Sequence, residues 1–169
     1  MKYSPKRLAH IGVFAALSLI AFLVENLLPP LFIPGARLGL GNVFIILCLA
    51  LYSLPEAAML LAAKCVLSAI FGGAISLLYS AVAGVASLVI TWLLIRFLSE
   101  QISITAIASV SAIVHNLVQL GVFAIVTQAK EVFFYAPYLV IAGAAAGILT
   151  GLTAYFILKY FPFERKRQQ

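Results

Sequence analysis

Three hydrogen-bonding side chains, His115, Asn116 and Gln119, interrupt the apolar run Ser111-Ala112-Ile113-Val114-His115-Asn116-Leu117-Val118-Gln119-Leu120. Four residues separate His115 from Gln119, so on a helix the two share a face, with Asn116 about 100° round from His115. The surrounding segment is long enough to cross a bilayer. Polar groups in hydrocarbon are costly and turn toward a bundle interior or a cavity. A single intramembrane histidine is explained by an interhelical hydrogen bond. Three adjacent polar groups exceed what packing needs and point to a ligand.

Other polar residues join them once spans are assigned. With 64% hydrophobic and 9% charged residues, the 169-residue chain lies far from soluble domains, where about 25% of residues are charged. Its mean hydropathy is +1.16. This composition predicts an all-α integral membrane protein, a bundle of six transmembrane helices in one transmembrane domain over residues 1–169. The expected spans are residues 8–28, 38–54, 57–71, 77–98, 102–127 and 137–161. The first apolar run is too long for a signal peptide and reads as a retained span. Pro29-Pro30 stops it, Gly39 and Gly41 open the second, Pro55-Glu56 ends the second, and Gly72-Gly73 closes the short third. Pro137 suits the first turn of the sixth. The formal charge of +6 is a matter of topology, not of nucleic-acid binding. With the N-terminus inside, Lys2, Lys6, Arg7, Arg96, Lys159, Arg165, Lys166 and Arg167 are cytoplasmic, whereas Arg37 and Lys130 face out, so both termini are expected in the cytoplasm.

In that orientation Glu25 and Asn26 lie near the outer end of the first span, Arg37 in the first outer loop and Asn42 just inside the second span. Lys64 sits near mid-depth, and His115, Asn116 and Gln119 lie in the middle to outer part of the fifth span. Together these eight residues can line one outward-opening, substrate-binding cavity. Lys64 costs about 2.5–3.5 kcal/mol at a bilayer centre and needs water or a partner, for which Glu25 or an anionic ligand is suited. Bland readings stand beside these: Lys64 can snorkel from a short span, Glu25 and Asn26 can mark an interfacial helix end, and Arg37 can be a solvated loop charge.

Small residues supply a second pattern. Ala9, Gly12 and Ala16 form a stripe on the inner half of the first span, about opposite Glu25, and can admit a partner helix. Gly143, Gly147 and Gly151 make a stricter ladder on the sixth, read as internal packing. Cys48 and Cys65 read as small buried apolar residues, with no metal or disulfide spacing. All five acidic residues are Glu. Without Asp there is no aspartate-rich motif to hold magnesium and a diphosphate, so catalytic prenyl transfer is not expected. Gly39-Leu40-Gly41 lacks the Lys-Ser/Thr of a phosphate loop. No catalytic residues, no metal and no cofactor bound by this chain are expected. An ion-coupled carrier would be marked by inverted repeats, and the first and last three spans show no such similarity.

The run Pro34-Gly35-Ala36-Arg37-Leu38-Gly39-Leu40-Gly41-Asn42, the Ser80/Gly84/Ser87 spacing, the His-Asn-x-x-Gln core and Pro137-Tyr138 followed by Gly143 and Gly147 resemble a bacterial membrane family. It is named heptaprenyl diphosphate synthase component I, or the Gx transporter family. Its members look similar to the substrate-binding S components of energy-coupling-factor transporters. That resemblance implies an S-component-like bundle with cytoplasmic termini in the bacterial cytoplasmic (inner) membrane and a ligand pocket beneath the first outer loop. It also implies a coupling membrane subunit docked on the small-residue stripe, where Gly12 to Ala16 give Gly-x-x-x-Ala for the family's Ala-x-x-x-Ala, and cytosolic ATPases that hydrolyse ATP. The expected function is a membrane-embedded substrate-binding subunit for a small nutrient or cofactor precursor. The alternative is a noncatalytic membrane subunit of heptaprenyl diphosphate synthase.

Overall fold

The computed structural model describes residues 5–27 and 39–160. Its elements are α1 (Pro5–Leu27), α2 (Asn42–Leu51), α3 (Leu54–Leu98), α4 (Ile104–Thr127), a 3-10 segment (Lys130–Tyr135) and α5 (Ala136–Tyr160), with no strand among the described residues. Among the described residues, five stretches are long and apolar enough to cross a membrane: Arg7–Glu25, Leu54–Phe71, Gly73–Leu98, Ile104–Thr127 and Lys130–Tyr160.

α3 is two limbs of a hairpin. A straight helix of its length would hold Leu61 and Gly84 about 35 Å apart. Instead, a Cβ placed on Gly84 would come within 2.6 Å of Leu61 Cδ1. The reversal falls at Gly73, whose φ of +77° and ψ of 177° only glycine adopts readily. The two limbs cover the residues of the expected third and fourth spans and are joined with almost no loop.

α2 corrects the expected span 38–54. The helix has ten residues, about 15 Å, or half the hydrocarbon thickness. Gly39, with φ +67°, delays its start, and Tyr52, with φ −123° and ψ −125°, ends it. Seven of its ten residues are nevertheless buried, Leu47 and Cys48 fully. α2 is a buried rod around which longer helices pack, and Leu60, Leu61, Cys65 and Leu88 of α3 complete that core.

Successive rods are antiparallel. His10 near the start of α1 meets Tyr52 at the end of α2, while Glu25 near the end of α1 meets Gly39 before α2. Thr91 and Ser87 on α3 face Ser111 and His115 on α4 in reversed order. The α5 glycine ladder faces α4 in the same sense. A Cβ on Gly143, Gly147 or Gly151 would fall 3.0, 2.2 or 2.5 Å from the Cα of Ile113, Ser109 or Thr105. This is the internal packing expected of that ladder. With each rod reversing the last, residues 5 and 160 come to the same end of the bundle.

Candidate functional site

One polar group gathers where α1, the turn before α2 and the first limb of α3 meet. The Gly39 carbonyl accepts the Asn42 amide at 2.8 Å, so residues 39–42 form the turn that launches α2. Glu25 Oε1 accepts the Gly39 N–H at 2.8 Å, and Ser18 Oγ donates to the Gly41 carbonyl at 3.0 Å. Seven residues, two helical turns, separate Ser18 from Glu25, so one face of α1 is pinned to this turn at two levels. Lys64 Nζ donates to Asn42 Oδ1 at 2.6 Å. The expected pairing of Lys64 with Glu25 gives way to this arrangement because Glu25 is engaged by the Gly39 amide. The half-buried Lys64 points its ammonium at α2. A methyl group on Gly41 would sit 3.3 Å from Lys64 Cε and 3.0 Å from the Ser18 carbonyl, so glycine there lets three elements converge.

A second group lies between the second limb of α3, α4 and α5. Thr91 Oγ1 donates to the Ser87 carbonyl at 2.6 Å and lies 2.7 Å from Ser111 Oγ. Ser87 Oγ donates to the Gly84 carbonyl at 3.1 Å and lies 3.5 Å from His115 Nδ1. Asn116 Nδ2 donates to the Leu139 carbonyl at 3.5 Å. His115, Asn116 and Gln119 are all buried, as their shared stretch predicts.

Helix register relates the two groups. Contact of Leu61 with Gly84 sets Lys64 level with Ala81 on the opposite limb. The pairing of Ser87 with His115 sets Gln119 level with Ala83. Lys64 and Gln119 therefore differ in depth by about two residues of rise, roughly 3 Å.

Not every expected site residue falls within this description. Asn26 lies on α1, but its side chain, and Arg37 altogether, lie outside the described residues. Ala9, Gly12 and Ala16 are all exposed, and a Cβ on Gly12 would have nothing within 4 Å. Sequence reasoning missed Ser18, whose lone hydroxyl in an apolar helix gives no signal. It also missed Thr91, although Ser87 and Thr91 are one turn apart. Glu56, read only as a span terminator, is buried in the first turn of α3, where it accepts from the Ser53 hydroxyl and lies 3.8 Å from Arg7 Nη1.

Comparison with family descriptions matches the chain over residues 14–157 to heptaprenyl diphosphate synthase component I. Comparisons with curated proteins and with solved structures gave no match.

Proposed function

The chain belongs to the heptaprenyl diphosphate synthase component I family and is built of membrane-length helices, and from these two facts we propose a noncatalytic role as a membrane-embedded binding subunit. In this reading it is the substrate-binding component of an energy-coupling-factor-type importer, taking a small nutrient or cofactor precursor from outside. Lys64 carries the reading. An ammonium group inside an apolar bundle, hydrogen-bonded to a neutral carboxamide, is poised to meet a negative group on a ligand. The first amides of α2 add positive potential at the same place. Asn42 and the Gly39–Gly41 backbone would lie beneath the bound molecule, with Glu25, Asn26 and Arg37 toward its outer side. His115, Asn116 and Gln119, near the same depth, would hydrogen-bond its polar head.

In the proposed topology the bundle end shared by residues 5 and 160 is cytoplasmic, a reading supported by Arg7, Arg96 and Lys159, which flank that end. A coupling membrane subunit would bind the exposed Ala9, Gly12 and Ala16 face, with ATP hydrolysed by separate cytosolic subunits in a bacterial inner membrane.

The family's description favours a second reading, in which the chain is a noncatalytic membrane partner in prenyl diphosphate synthesis. The absence of Asp from the sequence fits a partner and not a catalyst. Affinity purification of the tagged protein from its own membranes in mild detergent, with mass spectrometry of proteins and retained small molecules, separates the two. An ATPase pair with a coupling subunit is the expected result. Recovery of a soluble prenyl synthase instead would overturn the importer reading.

A further inference from the structure

The seam between the second limb of α3 and α4 is a regular ladder with one odd rung. Each four-residue step back along α3 matches a four-residue step forward along α4. Thr91 meets Ser111, Ser87 meets His115, and two rungs further out Tyr79 meets Phe123, with ring centroids 6.3 Å apart and planes at 39°. The rung between Ser87/His115 and Tyr79/Phe123 pairs Gln119 with Ala83. Polar faces polar at the first two rungs and aromatic faces aromatic at the last, but at this one a carboxamide faces a methyl group.

The consequence is visible at the atom. Gln119 is 6% exposed and its Oε1 is a buried acceptor with no hydrogen-bond partner among the described residues. Leaving such a group unsatisfied costs about 1–3 kcal/mol. A serine or threonine at position 83 would supply a donor one rung from Ser87, which already follows that pattern.

We infer that the Ala83/Gln119 rung is a ligand subsite, where Gln119 Oε1 accepts a hydrogen bond from a ring N–H of a planar heterocycle that bears an anionic group. An acceptor calls for a donor, and a ring N–H is the donor that a planar ligand carries. Planarity follows from the half-buried Tyr79 and Phe123 rings one turn outward, which offer a stacking surface. The anionic group is the one that the importer reading assigns to Lys64, whose depth along the bundle differs from that of Gln119 by about 3 Å. Diphosphate oxygens only accept and cannot satisfy Gln119 Oε1, so this ligand chemistry differs from that of a prenyl diphosphate. The inference rests on the importer reading and names the ligand class for the same site.

The test uses the full-length chain purified in detergent, with thermal unfolding recorded in the presence of orotate, urate, their N-methylated counterparts and geranyl diphosphate. At least one of orotate and urate is expected to raise the unfolding temperature by several degrees, while its N-methylated counterpart does not. Gln119→Leu should weaken that response by about tenfold or more in apparent affinity. Ala83→Ser, which offers Gln119 an internal donor, should raise the unfolding temperature of the protein alone and also weaken the response, and it decides the matter should Gln119→Leu fail to fold. If neither ring N–H compound acts, if methylation makes no difference, or if Gln119→Leu responds like the wild type, the subsite is wrong. A response to geranyl diphosphate alone that survives Gln119→Leu would also overturn it. Failure of the importer reading would appear separately, as absence of ATPase subunits from the purified complex.

Discussion

Lys64 Nζ donates to Asn42 Oδ1 across 2.6 Å, joining the first limb of α3 to the first residue of α2. The bond gives the half-buried ammonium a polar partner inside an apolar bundle. It also predicts a thermodynamic coupling. Asn42→Leu leaves the ammonium without its carboxamide and should cost about 1–3 kcal/mol, read as a lower unfolding temperature in detergent. Lys64→Met removes the charge together with its need for a partner. In the Asn42→Leu/Lys64→Met double variant the loss should therefore be well below the sum of the single losses. Additive losses would mean that the two side chains do not act as a pair.

The α5 ladder and the α1 stripe contain glycines of opposite kind. A Cβ on Gly147 would lie 2.2 Å from Ser109 Cα and 2.8 Å from the Ala108 carbonyl, contacts that only backbone separation can relieve. Gly147→Ala is expected to destabilise by about 1–3 kcal/mol through overpacking. Gly12 has open space around it, so Gly12→Ala should be neutral or stabilising by up to about 1 kcal/mol from helix propensity. Unfolding temperatures of the two variants in the same detergent make the comparison. A Gly12→Ala loss equal to that of Gly147→Ala would contradict the packing described.

How much of this was legible beforehand differs by residue. Apolar run length gives the membrane-length helices, and the four-residue spacing of His115 and Gln119 gives their common burial on α4. Proline and glycine punctuation located the break at Gly73. Hydropathy could not distinguish a short buried helix from a full span, because Leu38 to Leu54 is mostly apolar, with Asn42 and Ser53 its clearly polar residues; what shortens α2 is the left-handed backbone at Gly39. Likewise no pattern assigns Lys64 to Asn42 over Glu25. That choice depends on which side chains the α1–α2 turn leaves available, and the turn uses Glu25 on the Gly39 amide.

Topology is open to direct labelling. In a background lacking Cys48 and Cys65, cysteines placed at Arg7, Arg96 and Lys159 should resist a membrane-impermeant maleimide in intact cells, while a cysteine at Lys130 should react. Lys130 opens the 3-10 segment between α4 and α5, at the end of the bundle opposite residues 5 and 160. Reaction at Lys130 together with any of the other three would contradict the alternation of the rods. Reaction at those three with protection at Lys130 would invert the proposed orientation.

At the end shared by residues 5 and 160, Glu56 is 4% exposed and Arg7 about a third exposed, with 3.8 Å between Glu56 Oε1 and Arg7 Nη1. Arg7 also stands 6.0 Å from the Tyr52 ring centroid, and the Tyr52 hydroxyl bonds His10. This cluster holds the start of α1 against the α2–α3 turn, with Glu56 in the first turn of α3. Because Arg7 is partly solvated, its own contribution is modest, and Arg7→Ala should cost about 1 kcal/mol or less. Glu56→Leu should cost more, about 1–3 kcal/mol, because the Ser53 hydroxyl loses a charged acceptor. Glu56→Gln keeps an acceptor for Ser53 and should fall between the two. Thermal unfolding of the three variants gives the order. If Arg7→Ala proved the most damaging, α1 would be held at this end chiefly by its arginine, and the buried carboxylate would not be the anchor.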